Sequence, residues 1–134
     1  MSDGARGRVA EALRSALAGR PEIRFACLHG SFARGDPYRD IDVAIWVDAA
    51  VVPPEARVRY MLDLATGLEL ALGQRIDVQV LNDAPLAFRY HALAGRPLVV
   101  RDRDEFDDLR ARTWDEYFDF LPFARQYLRE VLGA

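Results

Sequence analysis

Val9, Leu13 and Leu17 recur at spacings of four, which predicts a helix over Arg6 to Ala18 with one apolar stripe, ended by Gly19. After Pro21, the run Ile23 to Leu28 reads as a strand that becomes buried as it approaches Gly30. Ile41 to Val47 carries β-branched residues at alternate positions and predicts a second strand. Alternation places Asp40, Asp42 and Ala44 on one face and Ile41, Val43 and Ile45 on the other. Pro53-Pro54 opens a helix that runs to about Leu72 and stops at Gly73. A third strand follows over Ile76 to Leu81, with Ile76, Val78 and Val80 on one face and Asp77 and Gln79 on the opposite one.

Further along, Asn82 or Asp83 is placed to cap a helix that begins near Pro85 and stops at Gly95. Pro97 to Val100 then predicts a fourth strand at an edge. Asp104 to Val131 is helical and rich in aromatic residues, with a kink or break expected at Pro122. Packing in the core is the default expectation for Trp114, Tyr117, Phe118 and Phe120. The order of elements implies an α/β (α+β) fold in which a small mixed sheet of about four strands is flanked by helices, with a helical C-terminus.

Size and charge narrow this picture. A chain of 134 residues, 51% of them hydrophobic, buries one sizeable core, so residues 1–134 are expected to form a single domain. The net charge is -3, from 18 basic and 21 acidic residues, which disfavours general nucleic-acid binding. Every basic residue other than the two histidines is Arg, so no lysine serves as a phosphate clamp or Schiff base. Cys27, the only cysteine, lies in an apolar run and reads as a small buried hydrophobe. The absence of an N-terminal apolar run or a bilayer-length stretch leads to the expectation of a cytoplasmic protein with no membrane partner.

The chemistry concentrates in one stretch. A buried strand runs into Gly30-Ser31, a short polar loop follows, and Asp40-Ile41-Asp42 opens the next strand. Gly30 lets the backbone turn sharply and approach a ligand, while Ser31 starts a helical turn whose free N–H groups and hydroxyl suit a phosphate. Carboxylates at i and i+2 of a strand point the same way and supply the oxygen ligands that Mg²⁺ requires. Asp77 is an acid within an Ile- and Val-rich strand, against local β-propensity, and strand pairing would set it on the same side as Asp40 and Asp42. Three acids suit a metal pair that activates a hydroxyl and neutralises a triphosphate. Arg34 follows Ser31 closely enough to reach a phosphate, although a surface arginine is the commoner case. His29 and His91 read first as packed or surface residues.

Leu28-His29-Gly30-Ser31-Phe32-Ala33-Arg34-Gly35, then Asp40-Ile41-Asp42, then Ile76-Asp77-Val78, resembles the minimal nucleotidyltransferase (MNT) family of the polymerase-β-type superfamily. Across nearly the whole chain, including Pro85 to Ala94, Gly95 to Leu98 and Tyr117 to Phe120, the likeness extends to MntA-type antitoxins encoded beside HEPN-domain toxins. The resemblance implies that Gly30 and Ser31 contact a triphosphate, that Asp40 and Asp42 bind metal, and that Asp77 is the third carboxylate. It also implies AMP transfer from ATP, with Mg²⁺, to a tyrosine of a cognate HEPN-type toxin. A binding antitoxin that neutralises its partner by occlusion, or a transferase for a small-molecule acceptor, are the alternatives. The loop from Ser31 to Asp40 is shorter than the family's usual one, and Arg39 stands where a serine often precedes the first acid.

Overall fold

The computed structural model describes residues 2–133; residues 1 and 134, included in the expected 1–134 domain, lie outside the described residues. Helix α1 (Asp3–Ala18) starts three residues before the sequence pattern suggests. The Ser2 hydroxyl accepts from the Ala5 N–H and satisfies one of the donors that a helix start leaves free. Four strands follow in the chain: β1 (Ile23–His29), β2 (Ile41–Val47), β3 (Ile76–Val80) and β4 (Arg96–Val100). They form one sheet in the order β3-β2-β1-β4. Strand β1 is antiparallel to both β2 and β4, whereas β2 and β3 run parallel. The parallel pair requires a crossover, which helix α3 (Arg57–Leu72) supplies after a 3₁₀ turn at Pro54–Ala56. As predicted, β4 forms an edge.

Alternation along the strands gives the sheet two buried faces. Ala26, Leu28, Val43, Ile45 and Val78 meet Leu13 and Leu17 of α1 and Leu64 and Leu68 of α3. Phe25, Cys27 and Ala44 meet Ala92 and Leu93 of α4 (Leu86–Leu93), and Phe106 and Leu109 of α5 (Arg103–Leu132). Each fully buried leucine or phenylalanine contributes roughly 1.5–3 kcal/mol, so this sandwich fixes the strand register on which the polar end of the sheet depends. Arg101 fastens the far end, its guanidinium donating to the carbonyls of Ile23, Ala18 and Arg20 at 2.8–3.0 Å.

Three local expectations are corrected. Neither Asn82 nor Asp83 caps α4, whose N-cap is Pro85 without a side-chain bond. Asn82 instead extends the β2 ladder with its amide, accepting from the Val47 N–H at 3.0 Å and donating to the Val47 carbonyl at 2.9 Å. Asp83 pairs with Arg57 at 2.6 Å. Of the kink or break expected at Pro122, the break does not occur: helix α5 is continuous from Arg103 to Leu132. Proline removes one N–H, and its partner there, the carbonyl of Phe118, belongs to an exposed residue on the solvent side of the helix, where the lost bond costs least.

The core expectation fails for Phe118 and Phe120, which are 56% and 48% exposed, while Trp114 and Tyr117 are half-buried. The reason is length. Thirty helical residues rise about 45 Å, whereas strands of five to seven residues span about 17–23 Å, so the end of α5 outruns the sheet. Its apolar stripe continues over Phe123, Tyr127, Leu128 and Val131, which stay 53–72% exposed among the described residues.

Candidate active site

Register brings together what the sequence separates. His29 at the end of β1 pairs with Asp42 on β2, and Asp42 pairs with Asp77 on β3. One row across three strands therefore carries an imidazole and two carboxylates. All three side chains lie on the face that α4 and α5 cover further along, because Cys27, Ala44 and Gln79 are the next residues of the same parity. Asp40 precedes β2 by one residue and shares the parity of Asp42.

Asp42 is half-buried, and burial pushes its carboxyl above the ordinary carboxylate range. His29 and Arg34 oppose that rise, while the negative charges of Asp77 and Asp40 add to it. Burial conversely pushes the His29 imidazole below its usual value, against the pull of Asp42 and Asp77. The His29 ring stands edge-on to Phe88 of α4 at 5.5 Å, and its Nε2 is buried without a hydrogen-bond partner. His29 is thus packed, as its sequence context suggests, yet it also faces the acids.

Helix α2 (Gly30–Arg34) begins at this row, and Gly30 is required there on two counts. Its φ of 76° is left-handed, and a Cβ at this position would run into the Asp42 carboxylate. The backbone of the turn consequently passes directly over Asp42, with no side chain capping the first N–H groups of α2. Ser31 Oγ lies 3.4 Å from an Arg34 guanidinium nitrogen, and Arg34 Nε also meets Asp36 at 3.2 Å. Ser31, Pro37, Tyr38, Arg39, Asp40 and Asp42 enclose an open cleft of about 440 Å³.

Arg6 of α1 braces the short loop that forms the cleft's outer wall. Its guanidinium donates to the carbonyls of Phe32 at 3.0 Å and Asp36 at 2.7 Å, and it lies over the rings of Phe32 and Tyr38 at 5.4 and 5.0 Å. Arg6, with Arg75 and Gln79, is what sequence reasoning missed; an arginine on a helix 24 positions before Gly30 gives no local signal of this contact. Arg75 Nε lies 3.3 Å from Asp40 Oδ1, and Gln79 Nε2 donates to Asp77 Oδ1 at 3.0 Å.

These details bear on metal binding. The acids offer only carboxylate oxygens, the donors a hard divalent cation takes, and the repulsion that Asp77 and Asp40 exert on Asp42 is of the kind a cation relieves. Among the described residues, however, no three acidic, histidine or cysteine groups are gathered closely enough to hold an ion. Asp42 and Asp77 are neighbours by register, whereas Asp40 is paired with Arg75. The donor chemistry of these carboxylates is of the kind that fits Mg²⁺.

A family model described as "Polymerase beta, Nucleotidyltransferase" matches residues 11–104, from within α1 to the first turn of α5. The chain belongs to this nucleotidyltransferase family. The match includes the whole sheet, α2 and all of the acids in the row, leaving most of α5 outside it. The nucleotidyltransferase fold is similar to that of solved toxin–antitoxin structures. One, a toxin–antitoxin with AMP-PNP, aligns with a TM-score of 0.71 at 21% identity, covering 94% of this chain and 98% of the other. Another, a tri-AMPylated Shewanella oneidensis HEPN toxin in complex with MNT antitoxin, aligns at 0.68 and 21% identity, covering 95% and 98%. No protein of curated function matches the sequence. Within the described residues of this nucleotidyltransferase, no helix is long and apolar enough to cross a membrane.

Proposed function

We propose that this nucleotidyltransferase transfers AMP from ATP to a hydroxyl, a tyrosine by the family resemblance, of a cognate HEPN-type toxin and so acts as its antitoxin. The observation that carries the reading is the Asp42–Asp77 pair, set side by side by strand register directly beneath the Gly30 turn. Gly30 and Ser31 present backbone N–H groups and a hydroxyl to the phosphates, and Arg34 adds a guanidinium. Asp40, Asp42 and Asp77 are the residues that would hold the metal. Mg²⁺, when bound, neutralises the triphosphate and lowers the pKa of the acceptor hydroxyl. The rest is positioning: the half-buried Asp42 would place the α-phosphate through the cation it would hold, and Arg6 braces the loop wall beside it. The solved complexes named above, one bearing an ATP analogue and one an AMPylated toxin, support this choice of nucleotide and acceptor.

The second reading is neutralisation by occlusion. The exposed stripe Phe120, Phe123, Tyr127 and Leu128 favours it, because a partner helix laid there would be held without any chemistry. One experiment separates the two. The protein, its genomic neighbour's product, labelled ATP and Mg²⁺ are mixed, and adducts are read by mass spectrometry for the unaltered chain and for Asp40→Asn/Asp42→Asn. Catalysis predicts AMP on the partner, lost in the double variant together with neutralisation. Neutralisation that survives in the variant, with no adduct in either sample, sinks the transferase reading and leaves occlusion.

A further inference from the structure

Resting on the nucleotidyl-transfer reading, we infer that the apolar pocket on the outer side of β3 seats the acceptor, as an aromatic ring that carries the reacting hydroxyl. The pocket has a volume of about 320 Å³ and lies between the start of α3, the end of β3 and the entry to α4. Its walls are Val58, Met61, Val80, Ala84, Pro85 and Phe88. Beside the Arg57–Asp83 ion pair, Gln79 is the polar residue of the lining nearest the acids, and its amide donates to Asp77 at 3.0 Å, so the pocket opens one side chain away from the third acid. The Arg57–Asp83 pair forms part of the lining and keeps the α3 and α4 walls together. Phe88 lines the pocket and touches His29, tying this wall to the same row.

Strand order gives the pocket its role. Nucleotidyl transfer places the attacking oxygen and the leaving pyrophosphate on opposite sides of the α-phosphorus. The phosphate-contacting groups Gly30, Ser31 and Arg34 follow β1, which lies on one side of β2, and Asp77 lies on β3, on the other side. With the α-phosphate over Asp42 on β2, the pyrophosphate departs toward α2 and the acceptor must arrive from beyond β3. The feature waiting there is this apolar pocket. A serine or threonine hydroxyl sits on a side chain too short to fill apolar walls and still reach Asp77, whereas a phenolic ring buries its faces and keeps its oxygen at the polar end. In the step itself, the phenolic O–H proton passes to Asp77, the oxygen bonds to the α-phosphorus, and the bond to the β-phosphate breaks. Pyrophosphate carries away the electron pair.

The test uses two variants outside the charged row. Val58→Glu places a charge on a rim residue that is 65% exposed, so the fold tolerates it. Ala84→Trp fills the pocket. Affinity for Mg²⁺-ATP is measured alongside AMP transfer to the partner protein, with the modified residue located by mass spectrometry. The pocket's role predicts tyrosine as the modified residue, ATP affinity unchanged in both variants, and an acceptor KM raised by about tenfold or more. Transfer at the original rate and acceptor KM in both variants, or modification of serine or threonine, overturns it. If the unaltered chain binds ATP and modifies nothing, the transferase reading itself falls and the pocket's role with it. Loss confined to the variants is the signature of the pocket alone.

Discussion

On one side of Asp42 lies a cleft walled by Ser31, Arg39 and Asp40, open and rich in charge; on the other, beside β3, lies a pocket of valine, methionine, alanine, proline and phenylalanine. They rest on different physics. The polar cleft works through fixed charges and N–H groups, whose removal is costly because nothing else replaces them in a partly buried setting. In the role inferred for it, the apolar pocket would work through shape and burial, where one altered side chain changes binding by about 1–3 kcal/mol. A single row of side chains thus divides a region that handles charge from one that handles form.

Breaking the charged side gives the largest effect. Asp42→Asn and Asp77→Asn should each lower AMP transfer by about 10²- to 10³-fold, as loss of a transition-state electrostatic group does. Thermal unfolding should show the variants no less stable than the parent, since like-charge repulsion in the row is removed. Next comes the hinge between the two sides. Gly30→Ala forces a Cβ onto the Asp42 carboxylate at left-handed φ and should cost about 1–2 kcal/mol for the backbone alone, seen as a melting temperature lowered by several degrees. Transfer should fall with it.

Arg6→Ala sharpens the contrast. Removing two charged donors to loop carbonyls should cost about 1–3 kcal/mol and weaken ATP binding while leaving the acceptor KM unchanged, because Arg6 braces only the cleft on the α2 side. The smallest effect belongs to Cys27, two residues down the sheet from the His29–Asp42 pair. Burial pushes its thiol up to about 12. The folded protein should therefore resist iodoacetamide at pH 8 and react only when unfolded. Since the folded value lies above the unfolded one, the stability this thiol contributes is present below the unfolded pKa and is lost as pH rises toward 12.

The contrast also marks what the sequence makes legible. Every strand was readable because period-two alternation and flanking Gly and Pro reflect forces acting within a few residues, and β2 runs over Ile41–Val47 as its pattern predicts. Asp40 and Asp42 were readable for the same reason. That Asp77 faces Asp42 follows from parity once β2 and β3 pair in parallel. The Arg75–Asp40 contact and the Arg6 brace were not readable, since each depends on side chains meeting across the fold; the Gln79–Asp77 bond, between neighbours on one strand face, was within reach of the alternation pattern. The break expected at Pro122 does not occur because the carbonyl that proline leaves without a donor lies on an exposed turn, and sequence pattern does not reveal that exposure. Phe118 and Phe120 misled because aromatic content does not reveal that a helix is longer than the sheet beneath it.

The central claim, that the Asp42–Asp77 row binds a metal-nucleotide complex beneath the Gly30 turn, is tested most directly by calorimetric titration of a non-hydrolysable ATP analogue with and without Mg²⁺. The parent chain should bind about tenfold or more tightly with Mg²⁺ than without, and Asp42→Asn should lose that dependence. Equal affinity with and without the cation in the parent, or an undiminished Mg²⁺ effect in the variant, would contradict the account.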